Sequence, residues 1–421
     1  MANIGIVGGG QSGLLFGKGM LKSGHNVTIY SAETPSERYA GRISSTQCMT
    51  PQAREDEREL NMNFWEEELP PIHGFRFRLR SPDGKWFQCQ GDLDSPAESV
   101  DQRLKFSRWM MHFKDIGGNL VFQRVETSDF DDLEKEHDFI VISTGKGELG
   151  NIFERNEERS PYDQPMREIG LIQFRGVDPQ PGTIDPDRVD FTILAGLGEC
   201  FPMPVLTTTN EEDAWTYVHE AVPGSEMDIY DDLDWFNEPE EMKNRIKNFW
   251  DEYLPFFSEA VNENEFRLTD ERATLQGKFA PGVKHPTTTL PNGTTAMALG
   301  DAAITNDPVT GQGSNNATMH AWHAFQMMKD HEGPWDEEFG NAVFEKHWEE
   351  YGRDVTRWTN MLLGQPPEHV IKLFAAESNA IGKEIAKGWV NAPYFDPWLY
   401  DEDKAEKLLE EKTSPPAGAP A

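Results

Sequence analysis

The sequence predicts an α/β fold: a Rossmann-like, doubly wound nucleotide domain interleaved with a mixed α+β domain, with a helical C-terminal region. Three observations predict it. The first 30 residues alternate strand, glycine turn, helix and strand patterns. A short buried strand pattern returns near residue 296, after an irregular middle segment. The 421 residues exceed one ordinary domain, and 37% are hydrophobic, enough for a sizeable core.

The elements follow in order. Residues 3–7 read as a buried strand, 8–13 as a glycine turn and 12–23 as a helix with Leu14, Leu15, Met20 and Leu21 for its inner side. Gly24 can stop that helix, and 26–30 read as the next strand, completing a β-turn-α-turn-β unit. Residues 51–62 suit a polar helix. Phe75, Phe77 and Leu79 alternate with Arg76, Arg78 and Arg80; Ser81 to Gly84 turn the chain, and 85–89 return as a partner strand. A helix is expected over 102–116, ended by Gly117 and Gly118, and strands over 120–122 and 138–143. The middle offers strands over 168–174, 190–194 and 205–209, and an amphipathic helix over 240–253 with Met242, Ile246, Phe249 and Trp250. A strand over 296–299 and a helix from Ser314 come next. The expected division is 1–150 (nucleotide domain, first part), 151–285 (second domain), 286–330 (returning segment), 331–412 (helical region) and 413–421 (disordered tail).

Composition excludes several function classes. There are 39 Lys and Arg against 73 Asp and Glu, a net charge of −34. Such a surface repels phosphate backbones and anionic membranes, so neither nucleic acid nor membrane is an expected partner. A saline host would also explain the charge. No apolar run approaches the roughly 18 residues needed to span a bilayer, and the N-terminus has no signal-like stretch. The three cysteines, Cys48, Cys89 and Cys200, are far apart and lack CxxC spacing. They read as reduced thiols in a cytoplasm, not as a disulfide frame or metal site. His320 and His323, three apart on a helix, read as helix-face residues and not as a metal pair.

Two motifs carry chemistry. The first is Gly8-x-Gly10-x-x-Gly13, with Gln11 and Ser12 inside it, after a strand and opening a helix. Gly8 permits the tight turn, Gly10 lets a pyrophosphate approach the backbone, and Gly13 lets helix and strand pack closely. The acid usually found at the end of the second strand is missing, and Ser31 is the candidate substitute for holding a ribose. The second motif is Gly300-Asp301, then Pro308-x-x-Gly311-Gln312-Gly313-Ser314-Asn315. A strand ending in Gly-Asp offers a carboxylate to a ribityl hydroxyl. The following loop presents backbone amides to the N1/O2 edge of a reduced flavin. A nicotinamide enzyme has no use for this element, so the pair points to FAD.

With Ser143-Thr144-Gly145, these elements resemble the FAD-dependent aromatic hydroxylases, whose fold is p-hydroxybenzoate hydroxylase-like. The stretches IGIVGGGQSGL, VTIYSAETPSERYAGR, SSTQCM, GDLDSPAESVDQR, VISTGKGELG, GLGECFPMP, GDAAITNDPVTGQGSNNA and TRWTN stand in the order seen in oxygenase components of styrene monooxygenases. The resemblance runs from Ile4 to about Asn360. Ser45, Gln47 and Met49 stand where styrene-type members carry Asn, Val and His, and resemble the indole-type branch. Ile72 and Ala97 are also indole-like, whereas Phe75 departs from the Ile expected there.

The resemblance implies a two-component enzyme. Reduced FAD comes in trans from a transiently bound NADH-dependent flavin reductase, and O2 is the cosubstrate. A flavin C4a-hydroperoxide then epoxidises indole, giving indigo precursors, or styrene-like alkenes, and sulfoxidises sulfides. Ser45, Gln47 and Met49 are the implied catalytic residues, and Ile72, Phe75 and Ala97 the implied substrate pocket. Arg42 is implied beside the isoalloxazine and Arg103 at the pyrophosphate; a homodimer is implied by family habit. A self-reducing NAD(P)H-dependent hydroxylase and a non-catalytic FAD-binding redox sensor are the alternatives.

Overall fold

The computed structural model describes residues 1–145, 147–180, 182–209 and 213–414. The chain divides into two units, each assembled from three separate segments. No helix among the described residues is long and apolar enough to cross a membrane.

The first unit comprises Met1–Glu67, Val100–Pro165 and Phe279–Thr359. Its six-stranded sheet runs Thr287–Thr289, Thr295–Ala298, Phe139–Ile142, Asn3–Val7, Asn26–Ser31, Asn119–Phe122. All neighbours are parallel except the first pair. Ile4, Ile6, Val7 and all of Phe139–Ile142 are buried, the continuous apolar run that a helix-covered parallel strand requires. Asn3–Val7 lies between Asn26–Ser31 and Phe139–Ile142, so strand order reverses beside it. In doubly wound sheets the ligand crevice opens at the carboxyl ends of the strands at such a reversal. Gly8 follows directly at that end.

The second unit comprises Glu68–Ser99, Met166–Lys278 and Asn360–Ala421. Its sheet runs Arg267–Leu268, Glu168–Arg175, Trp215–Ala221, Gly198–Pro204, Arg188–Leu194, Ile72–Arg80, Trp86–Ala97, with Thr274–Gly277 also on Glu168–Arg175. Only Ile72–Arg80 with Arg188–Leu194 is parallel. Helix Pro239–Tyr253 buries Met242, Ile246, Phe249 and Trp250, with Trp250 against Phe174 (5.3 Å) and Tyr217 (5.0 Å). Side chains of this size stabilise the packing by about 1.5–3 kcal/mol each.

The structure corrects several expectations. Residues 68–99 do not belong to the nucleotide domain: Phe75, Phe77 and Leu79 pair with Val189, Phe191 and Ile193 of a strand that enters over 100 residues later. The second unit's middle segment is Met166–Lys278 rather than 151–285, and the helical region divides at Thr359. Residues 205–209 form no strand, while Gly198–Pro204 and Trp215–Ala221 do. The prolines disguised the first of these. Pairing with Arg188–Leu194 stops at Cys200, so Pro202 and Pro204 have a ladder partner on one side only, as on an edge strand, where proline is tolerated. The 51–62 helix is Pro51–Glu59, and one side of it is buried although charged: Arg54, Asp56 and Glu57 lie inside, while Gln52, Glu55 and Glu59 are exposed. Thr413 closes helix Glu402–Thr413 instead of opening a tail; residues 415–421 of that expected tail lie outside the described residues.

Candidate active site

The first-unit crevice is built from backbone. The Gly8 N–H donates to the Tyr30 carbonyl (2.9 Å), and the Ser143 N–H to the Val7 carbonyl (2.7 Å), tying the turn to both flanking strands. Gly8 has φ 125°, a left-handed conformation that favours glycine. A Cβ on Gly13 would overlap the Gly8 carbonyl oxygen and Ser143 Oγ, so helix and turn meet backbone to backbone. Gly10 differs: a Cβ there meets nothing within 4 Å. Gly10 caps helix Gln11–Lys22 without a side-chain cap and without an acid in the first turn. Uncapped amides facing open space at a helix start form an anion site, and they fit a pyrophosphate.

The second motif repeats this arrangement. Gly300, with φ 64°, ends the Thr295–Ala298 crossing, and its position against Ser12 leaves no room for a Cβ. Asp301 is half-buried, and its carbonyl accepts from Thr305 Oγ1 (2.7 Å). Asp307 Oδ1 accepts from the Val309 N–H (3.1 Å) and shapes the Pro308–Thr310 turn. Gly311 and Gly313 border open space, and helix Gly313–Met328 starts without a side-chain cap or an acid in its first turn. The loop therefore fits the polar edge of a flavin.

Several predicted contacts are turned inward. Gln11 Nε2 donates to Glu57 Oε1 and to Thr318 Oγ1, both at 2.8 Å. Gln312 Oε1 accepts from the Tyr351 hydroxyl (3.3 Å). Asn315 Oδ1 accepts from the Thr50 N–H and its Nδ2 donates to the Cys48 carbonyl, each at 2.9 Å, clamping the segment that carries Met49. Ser314 Oγ accepts from Gln102 Nε2 (3.5 Å). Ser31 Oγ donates to the Glu33 carbonyl (2.7 Å) and shapes a local turn. These side chains tie the elements of the crevice to one another.

Of the implied pocket residues, Ser45, Gln47 and Met49 belong to the first unit and Ile72, Phe75 and Ala97 to the second. Ser45 is half-buried and donates to the Thr46 carbonyl (3.0 Å). Gln47 is buried; Nε2 donates to the Val100 carbonyl (3.1 Å), while Oε1 has no partner among the described residues. Met49 is fully buried, and Arg42 is half-buried. Arg103 is buried in an ion pair with Asp101 (2.7 Å) and reaches the Gly41 carbonyl (3.4 Å). In the second unit Ile72 and Ala97 are cross-strand partners, and Phe75 stacks on Phe77 (5.6 Å) beside Trp389 (5.9 Å).

Known proteins resemble the chain in sequence and in fold. Residues 145–259 match the family described as "Styrene monooxygenase A putative substrate binding domain". Over 374 residues the chain is 29% identical to styrene monooxygenase StyA of Pseudomonas sp, covering 87% of each chain. The Pseudomonas fluorescens protein of the same name matches equally, at 29% identity and 87% coverage of each. The chain is thus similar to styrene monooxygenases over most of its length. Solved structures agree in fold. The flavin-dependent brominase Bmp2 superposes with a TM-score of 0.67 at 14% identity, covering 97% of this chain and 98% of that one. A 2-methyl-3-hydroxypyridine-5-carboxylic acid oxygenase gives 0.60 at 12% identity, covering 92% and 96%.

The first unit also holds groups that the sequence reading missed. Lys105 Nζ and Glu57 Oε1 form an ion pair at 2.6 Å, with side chains 0% and 1% exposed. Through Gln11 and Thr318, the pair links the starts of both crevice helices. Asp56 beside it is buried; Gln52 Nε2 donates to its Oδ1 (3.3 Å), and Oδ2 has no partner among the described residues. Burial foremost, helped by the Glu57, Glu55 and Glu59 carboxylates and opposed by Gln52, pushes Asp56 up to about 7. The fold thus favours its protonated form. That contribution is complete below about pH 4 and is lost as pH rises through 7. Asp56→Asn is therefore expected to be the more stable protein at pH 8, by up to about 4 kcal/mol, with the gap narrowing toward pH 5. Urea unfolding at both pH values checks the sign.

Proposed function

We propose that this chain is the oxygenase component of a two-component flavin monooxygenase. It takes reduced FAD from a separate NADH-dependent reductase, and its preferred substrate is indole over styrene. Bound reduced FAD with O2 supplies an electrophilic oxygen; one oxygen atom enters the alkene and the other leaves as water. The chain's share is to bind, orient and exclude water. The amides after Gly10 hold the pyrophosphate, the loop amides that follow Gly311 face the flavin's polar edge, the Gly311 N–H itself being given to the Pro308 carbonyl (2.7 Å), and Met49 supplies an apolar wall. Sulfides, which are electron-rich as well, are expected to be oxidised to sulfoxides.

The observation that carries the substrate reading is Gln47. Its buried Oε1 has no partner among the described residues, and a buried acceptor without a donor costs about 1–3 kcal/mol. Indole brings an N–H donor; styrene brings none. Purified protein given FAD, a generic NADH-driven reductase, O2 and either substrate tests this. Indigo should form faster than styrene oxide, and Gln47→Leu should lower indole kcat/KM by roughly tenfold relative to styrene. Faster styrene conversion by the unaltered protein would overturn the indole assignment. FAD binding without product from either would favour a redox sensor. Rapid flavin reduction by NADH without the reductase would favour a self-reducing hydroxylase.

A further inference from the structure

We infer that His320, fixed in one tautomer against His347, is the positioning residue that sets the Gly300-Asp301 turn of the flavin crevice. The inference rests on the FAD reading above. The Gly300 N–H, leaving its strand in a left-handed turn, donates to His320 Nδ1 (3.2 Å). A buried backbone donor must find an acceptor, and here it is a ring nitrogen from the helix opposite. An accepting Nδ1 carries no hydrogen, so the ring holds its single hydrogen on Nε2. Gly300 also packs directly on Ser12, so His320 sets where the second crevice motif meets the first.

The surroundings keep this ring uncharged. His320 is fully buried and stacks parallel on His347, centroids 4.5 Å apart, with Phe344 edge-on at 5.6 Å. His347 Nε2 meets Asn316 Oδ1 (3.0 Å), and its Nδ1 meets His323 Nδ1 (3.2 Å). Glu350 (3.6 Å) and Lys346 act on His323, at the outer end of the cluster. On His320 itself the electrostatic influence is the imidazole of His323. Burial foremost, then His323, pulls His320 down to about 3. A protonated ring cannot accept the Gly300 hydrogen bond, and the lowered basicity of His320 keeps that bond in place at neutral pH. Three histidines in proximity invite a metal reading, but no group among the described residues could hold a metal ion.

The test titrates full-length apoprotein with FAD by fluorescence quenching and follows thermal unfolding of the same samples. His320→Leu removes the acceptor; His320→Asn returns an oxygen near the Nδ1 position. His320→Leu should weaken FAD binding about tenfold, the worth of one hydrogen bond, and His320→Asn should bind within about threefold of the unaltered protein. His320→Leu, which leaves the Gly300 N–H without its acceptor, should also unfold at a lower temperature than His320→Asn, and unaltered protein should bind FAD equally from pH 5.5 to 8. Equal weakening by both variants, or none by either, overturns the inference. Should His320→Leu fail to fold, His320→Gln replaces it. Its oxygen reaches the Nε2 position instead, so it must bind FAD about tenfold more weakly than His320→Asn, and equal affinities would overturn the inference. Failure of the unaltered protein to bind FAD at all would strike the FAD reading itself.

Discussion

Gly10→Ala is expected to leave the apoprotein's unfolding midpoint unchanged while weakening FAD binding by about 1–3 kcal/mol, roughly 5- to 150-fold. The prediction follows from a contrast within one turn. A methyl on Gly10 meets no protein atom within 4 Å, and the residue's φ of −104° suits any side chain. Any loss therefore arises on the ligand side, where the pyrophosphate would sit. Gly13→Ala should behave differently. Its methyl would overlap the Gly8 carbonyl and Ser143 Oγ, and backbone cannot swing aside as a side chain can. That substitution should destabilise the apoprotein by at least the 1–3 kcal/mol typical of overpacking, and FAD binding should fall with it. Calorimetry of apoprotein and FAD titration, run on both variants, separate the two effects. Equal behaviour of the two would refute the assignment of Gly10 to the ligand face.

Lys105→Met is expected to lower stability by about 3–5 kcal/mol. The methionine fills the space, but it leaves the Glu57 carboxylate fully buried without its cation. Pairing the change with Glu57→Leu should restore much of the loss, because a well-packed apolar pair avoids the desolvation of two charges. The double variant should still bind FAD less well, since Gln11 Nε2 loses its Glu57 acceptor and keeps only Thr318. Urea midpoints at constant slope for the single and double variants read out the coupling.

What the sequence disclosed was local. The strand-turn-helix from Asn3 to Lys22 and the loop from Gly300 to Asn315 carry their geometry in adjacent residues, so glycine spacing and apolar runs revealed them. What it hid depends on partners far along the chain. Glu57 reads as one more acid on a charged helix until Lys105, 48 positions on, is placed against it. His320 reads as a helix-face residue until the Gly300 amide and the His347 ring are seen around it. The hairpin at 72–97 looked like part of the nucleotide domain because its strand partner, Arg188–Leu194, enters so much later. Gly198–Pro204 was hidden by the rule that proline breaks strands, which lapses where a strand is paired on one side.

The interleaving of the two units has a consequence for biosynthesis. Strand Phe139–Ile142 needs Thr295–Ala298 as its parallel neighbour, and the flavin loop lies beyond that. At roughly 5–20 residues per second, about 15–60 s of translation separate the first strand from this last central one. The glycine turn is therefore made early and waits on the ribosome with one side of its sheet open. Contacts of such long sequence separation slow folding. Cofactor loading becomes a late event, possible only once most of the chain has emerged.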